Sequence, residues 1–173
     1  MRLIDLSQPI FHTAPNCPAH PLVKSEVSSS HDKAEWCWET LTLASHTGSH
    51  IDAPLHKIAG GTPIDEMPLE GFVGSAYLAD LRGIEPQGKI TSELLAKALP
   101  TDLPEDSIVL MATGWGDMRE RTSKWLYQSP RLTPECAEWL IERQIRGLGV
   151  DHWGIGGWDG ANDAAVHTLL LGK

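Results

Sequence analysis

Apolar and polar positions alternate most cleanly over residues 36–44. There Trp36, Trp38, Thr40, Thr42 and Ala44 share one face, and Cys37, Glu39, Leu41 and Leu43 the other. A period of two is that of a strand, so this stretch is predicted to be one, and it delivers the chain directly to His46. A weaker alternation over residues 23–27 and a short apolar run over residues 3–6, closed by Ser7-Gln8-Pro9, predict two more strands. Pro15, Pro18 and Pro21 lie between them and make a loop that cannot join a sheet interior. Residues 28–33 read as an exposed turn. Continuous apolar runs over residues 75–81 and 108–112 predict strands buried on both faces, and residues 148–151 predict another.

Helix signals are fewer and sharper. Thr91 followed by Ser92-Glu93 predicts a short helix through Leu99 with Thr91 as its N-cap. Thr133-Pro134-Glu135 starts a second, with Pro at the first helical position. Ala137, Leu140, Ile141 and Gln144 are placed on its inner face, and Gly147 stops it. Residues 57–69 form a proline-bounded connector with one helical turn, and residues 152–160 a loop rich in Gly and Trp. An apolar final segment carries His167. Strands and helices that alternate in this way indicate an α/β or α+β fold. No repeat or linker interrupts residues 1–173, which read as one domain.

Composition narrows the class of partner. A net charge of -9 disfavours nucleic acid and anionic membranes, which repel an acidic surface. Cys17, Cys37 and Cys136 are odd in number and lack any Cys-x-x-Cys pair, so neither a disulfide framework nor a thiolate zinc site is expected. The start, Met1-Arg2-Leu3-Ile4-Asp5-Leu6, meets an acid after two apolar residues and has no signal-peptide core. No apolar run reaches the length of a membrane span. The expected location is the cytoplasm.

The chemistry concentrates in Ser45-His46-Thr47-Gly48-Ser49-His50-Ile51-Asp52-Ala53-Pro54-Leu55-His56. Imidazole and carboxylate are ligands that divalent ions such as zinc or manganese accept. His46, His50, Asp52 and His56 have one parity, yet on a straight strand residues four apart would lie roughly 13 Å from each other. The backbone must therefore curl, and Gly48 permits this through positive φ. A helix is disfavoured by Gly48 and Pro54. The stretch is predicted to be a strand end followed by a rigid ligand loop, in which His46, His50, Asp52 and His56 are potential ligands of a divalent ion. Asp151 and His152 follow a strand end, where each could line a pocket or cap a turn. Trp115, Trp153 and Trp158 could wall an aromatic pocket or pack in a core. His12, His20 and His31 read as solvated loop residues. Ser49 lacks the Gly-x-Ser-x-Gly setting of a hydrolase nucleophile.

His46-x-Gly48-Ser49-His50-x-Asp52-x-Pro54-x-His56 resembles the His-x-Gly-Thr-His-x-Asp-x-Pro-x-His signature of the metal-dependent cyclase/hydrolase family, which includes bacterial kynurenine formamidase and isatin hydrolase. The likeness continues through Ile64-Asp65-Glu66-Met67-Pro68-Leu69, Phe72-Val73-Gly74, Thr113-Gly114-Trp115 and Gly149-Val150-Asp151. It implies a swivelling β/β/α barrel assembled as a homodimer or homotetramer. It further implies that His46, His50 and Asp52 are the primary ligands and His56 the general acid/base. His167 would join a late glutamate at a second metal position bridged by Asp52. Two departures stand out. That glutamate would fall about a dozen residues past His167, so a C-terminal strand beyond Lys173 is expected to be missing. The family's Trp-Pro-Gly-Asp loop is replaced by Asn16-Cys17-Pro18-Ala19-His20-Pro21.

The function this implies is a metal-dependent hydrolase that cleaves an amide, or a lactam or ester, of a small and possibly aromatic substrate. Two alternatives remain at this stage: a non-catalytic metal-binding protein of the same fold, and a lyase or cyclase using the same site.

Overall fold

The structure, a computed structural model, describes residues 3–173. Met1 and Arg2, the start of the stretch read as lacking a signal peptide, lie outside the described residues. The backbone gathers into two compact units, one ending at Ile51 and the other beginning at Asp52.

The first unit is built on an antiparallel pair, β1 (Lys24–Ser29) and β2 (Trp38–Thr42). Lys24 stands opposite Thr42 and Glu26 opposite Thr40, with a bulge between Val27 and Ser29. The turn between the strands closes where Lys33 and Ala34 donate their amides to the Ser30 carbonyl, each at 2.9 Å. The alternation over residues 36–44 thus marks a real strand, shorter at both ends, but every residue of β2 is exposed. Alternation sets which residues share a face and does not by itself bury either one. Val23 and Ala14 are fully buried, and the Thr13 amide donates to the Val23 carbonyl at 2.8 Å. Residues 3–6 form no strand. The Asp5 carboxylate accepts the Ser7 amide at 2.9 Å, a local turn that competes with extended pairing, and Leu3, Ile4 and Leu6 remain exposed.

The second unit contains β3 (Ala76–Asp80), β4 (Lys89–Ile90), α1 (Ser92–Ala98), β5 (Ile108–Ala112), α2 (Ser123–Tyr127), β6 (Arg131–Leu132), α3 (Pro134–Glu142), β7 (Gly147–Val150) and α4 (Gly160–Leu171). Its main sheet is parallel in the order β3-β5-β7, with Ala76 beside Ile108 and Ile108 beside Gly147. β4 and β6 form a second, two-residue parallel pair. Ala79, Val109 and Met111 from the sheet meet Leu95 of α1, Leu140 of α3 and Val166 of α4 in one core. β3 is not buried on both faces as its apolar run predicts. Ala79 is buried, whereas Leu78, on the opposite face, is 64% exposed.

The predicted caps are present. Thr91 Oγ1 accepts the Leu94 amide at 3.4 Å and Thr133 Oγ1 the Cys136 amide at 3.2 Å, with Pro134 opening α3. α3 ends earlier than its pattern predicts. Gln144 lies beyond the helix with φ 51° and is exposed, so it takes no place on the inner face, while Ala137 and Leu140 do. The connector after His56 makes two short 3₁₀ turns, Ile64–Glu66 and, starting at its last residue, Leu69–Phe72, where one had been expected.

Candidate metal centre

The ligand loop takes its shape from its two punctuating residues. Gly48 has φ +67°, the positive value that the curl of the loop requires. A Cβ there would come within 3.2 Å of the Ile10 side chain. Ser49 is held from both sides, accepting the Gln8 amide at 3.0 Å and donating to the Leu6 carbonyl at 3.2 Å. Its hydroxyl therefore has a structural task. Thr47 is buried and its hydroxyl accepts from the Asn16 amide group at 3.0 Å.

Within the first unit, His46 and His50 stand edge to face with ring centroids 5.0 Å apart. His50 Nδ1 lies 2.9 Å from the Gly48 carbonyl oxygen, which can only accept. Nδ1 thus carries the proton and Nε2 keeps its lone pair, the arrangement a metal-binding imidazole uses. His20 was read as a solvated loop residue. Its ring is instead half-buried, 5.8 Å from that of His46, as the Pro18–Pro21 bend turns the loop inward. No pattern in the sequence marked it. His12 accepts the Ser25 amide at 3.3 Å from an exposed position, and His31 is exposed, as expected.

Within the second unit, Asp52, His56 and His167 converge. One ligand-capable atom from each lies within 4.8 Å of the others. Pro54 opens the 3₁₀ turn that carries His56, whose amide donates to the Ala53 carbonyl at 2.9 Å. His167 comes from α4, with its ring 5.7 Å from that of His56 and its Nε2 3.8 Å from Asp52 Oδ2. Its Nδ1 sits 2.8 Å from the Asp163 carbonyl oxygen and 3.2 Å from the Asp163 carboxylate. The Asp163 side chain raises the His167 pKa, outweighing the opposing effect of burial. Nδ1 is again the hydrogen-bond donor, and Nε2 is the nitrogen that faces Asp52. Asp163 is the residue that sequence reasoning missed. Its four-residue spacing from His167 on a helix was the available signal.

Two imidazoles and a carboxylate form a donor set suited to a borderline divalent ion. The aspartate that follows β7 has another task. Asp151 accepts Thr113 N at 3.1 Å, Thr113 Oγ1 at 2.5 Å and Gly114 N at 2.8 Å, and so caps the turn leaving β5. His152 Nε2 lies 2.8 Å from the Trp125 carbonyl oxygen, with its ring against Trp125 and Trp153. Trp115 is buried, and it exchanges indole N–H to carbonyl bonds with Trp125 at 3.3 and 3.1 Å. It is one of the buried apolar residues of the core. Cys136 is also core, and burial pushes its thiol up to about 12.

Comparison with known proteins places these residues in a family. The family model described as putative cyclase matches residues 4–156. Kynurenine formamidase of Bacillus cereus is 30% identical over 168 residues, covering 96% of this chain and 76% of that relative. Among solved structures, isatin hydrolase A from Labrenzia aggregata, bound to benzyl benzoate, superposes with a TM-score of 0.82 at 29% identity. That match covers 99% of this chain and 77% of the other. Isatin hydrolase A from Ralstonia solanacearum gives 0.84 at 26% identity, covering 99% and 75%. The mixed α/β fold is that of these structures.

Proposed function

The chain belongs to the putative cyclase family, and from that premise we propose which bond it cleaves and what each site residue does. It is a metal-dependent hydrolase of an amide bond. The observation that carries this is the convergence of Asp52, His56 and His167, with His46 and His50 preceding Asp52 by six and two residues along the chain. In this reading His46, His50 and Asp52 hold one divalent ion, zinc or manganese. His167, with Asp52, contributes to a second position. When bound, such an ion polarises a carbonyl and lowers the pKa of a water toward neutrality.

His56 accepts the proton of the attacking water and returns it to the nitrogen as the C–N bond breaks, since imidazole titrates where both transfers are possible. Pro54 fixes the turn that presents it. The substrate is a small molecule with a linear or cyclic amide beside an aromatic ring, a reading supported by the names of the relatives. The enzyme works in the cytoplasm as a homodimer or homotetramer. A second reading gives His56 to the second metal position instead. It is favoured by the nearness of His56 to both Asp52 and His167.

Metal content and turnover of N-formyl anilides and cyclic amides, measured on the same preparations, test both. His50→Ala should lose most of the bound metal, and stoichiometric metal in that variant would refute the ligand assignment. His56→Ala should lower kcat by about 10²–10⁴-fold, the usual contribution of general-base catalysis, with the ion still held at His46, His50 and Asp52. Metal lost in proportion to activity would make His56 a ligand.

A further inference from the structure

A cleft of about 280 Å³ opens at the start of α4, lined by Gln87, Tyr127, Ser129, Arg131, Trp158 and Asp159. It lies apart from His167 on the same helix. Asp159 caps α4 and His167 follows eight residues later, roughly 12 Å along the helix axis.

Its walls are aromatic. Tyr127 and Trp158 meet edge to face with centroids 5.1 Å apart, and Trp153 backs Trp158 at 5.9 Å. Both lining rings keep open surface, Trp158 49% and Tyr127 37%. An exposed pair of large rings held by a third is a stacking surface for another ring.

Its charges are of opposite sign and do not neutralise each other. The Arg131 stem lies across Gly157, where an added Cβ would come within 2.9 Å of the Arg131 Cβ. Yet the Arg131 guanidinium makes no ion pair or hydrogen bond among the described residues. Asp159 Oδ1 accepts the Asn162 amide at 3.4 Å, and Oδ2 has no partner among the described residues. Ser129 adds a third polar group, since it is 3% exposed and its hydroxyl has no hydrogen-bond partner among the described residues. Buried hydroxyls are ordinarily satisfied.

A planar ring, a cation and an anion left apart in one cleft call for a ligand with a ring and both charges. We propose that this cleft binds a free aromatic amino acid, its ring against Trp158 and Tyr127, its carboxylate on Arg131 and its ammonium beside Asp159. Guanidinium suits this task because it meets a carboxylate with two parallel N–H donors.

The test is titration of the full-length protein with L-phenylalanine, followed by calorimetry and tryptophan fluorescence. Binding should be saturable. It should be at least tenfold weaker for 3-phenylpropionate, which lacks the ammonium, for phenethylamine, which lacks the carboxylate, and for L-alanine, which lacks the ring. Arg131→Met and Asp159→Asn should each weaken binding at least tenfold, the latter while keeping a good helix cap. His50→Ala should leave the affinity within twofold. Absence of saturable binding, equal binding of the three analogues, or loss of binding in His50→Ala would each overturn the proposal. The analogue series uses unmodified protein, so it decides even where a variant folds poorly.

Discussion

Burial costs an imidazole its charge, and His152 shows how far. Desolvation lowers its pKa from 6.5 to about 4, although the Trp125 carbonyl it bonds favours the charged form. The folded value lies below the unfolded one. The unfolded chain therefore takes up a proton between those two values that the folded chain does not, and stability falls as pH drops through that window. The slope for one proton is about 1.4 kcal/mol per pH unit. Carboxylates titrate over part of the same range, so the informative quantity is a difference between proteins. Urea unfolding of wild type and His152→Gln at pH 7.5, 6 and 5 should show the variant losing stability less steeply by about that slope. Parallel declines would mean that His152 is charged in the folded protein as well.

At the scale of elements, Asp151 ties the end of β7 to the turn that leaves β5. It accepts three amides, from Thr113, Gly114 and Gly116, and the Thr113 hydroxyl at 2.5–3.4 Å. Asp151→Ala strands those donors in a half-buried turn, and losing bonds to a charged acceptor should cost about 2–4 kcal/mol in urea unfolding. Asp151→Asn should recover part of that, because one acceptor oxygen remains. A loss under about 0.5 kcal/mol in the alanine variant would mean water satisfies the turn equally well. Either role for Asp151 was open in the sequence, because a strand end announces a loop residue without saying what the loop does.

The same limit governs the other elements. α1 and α3 were legible at Thr91 and Thr133, where capping chemistry is local. β4 and β6 are two residues each and α2 only five, too short for any period to register. The candidate ligand loop was legible because His46, His50, Asp52 and His56 lie within eleven residues of one another. His167 entered only through family likeness. Its approach to Asp52 depends on the packing of α4, and nothing near Asp52 in sequence records that. The burial of β3 was misjudged for a related reason. Hydropathy describes a side chain and does not describe what stands opposite it.

At the scale of the whole molecule, apolar surface and net charge pull against each other. Trp36 is 74% exposed, Trp38 55%, Val27 66% and Leu41 50%, all on or beside one two-stranded sheet. Large rings grouped in this way commonly mark an interface. A net charge of -9 on each chain opposes association of like copies. Salt screens that repulsion, with a Debye length of about 10 Å at 0.1 M, and leaves the apolar contribution intact. Self-association driven by this sheet should therefore strengthen as salt rises, the opposite of an interface held by ion pairs. Light scattering at tens of micromolar should report at least twice the 18.9 kDa chain mass in 0.15 M salt, with a greater monomer fraction at low salt. The double variant Trp36→Ser, Trp38→Ser should shift the population toward monomer under both conditions. Two results count against the proposed homo-oligomer as a property of this sheet. One is a strictly monomeric wild type, and the other is an oligomer that the double variant leaves unchanged.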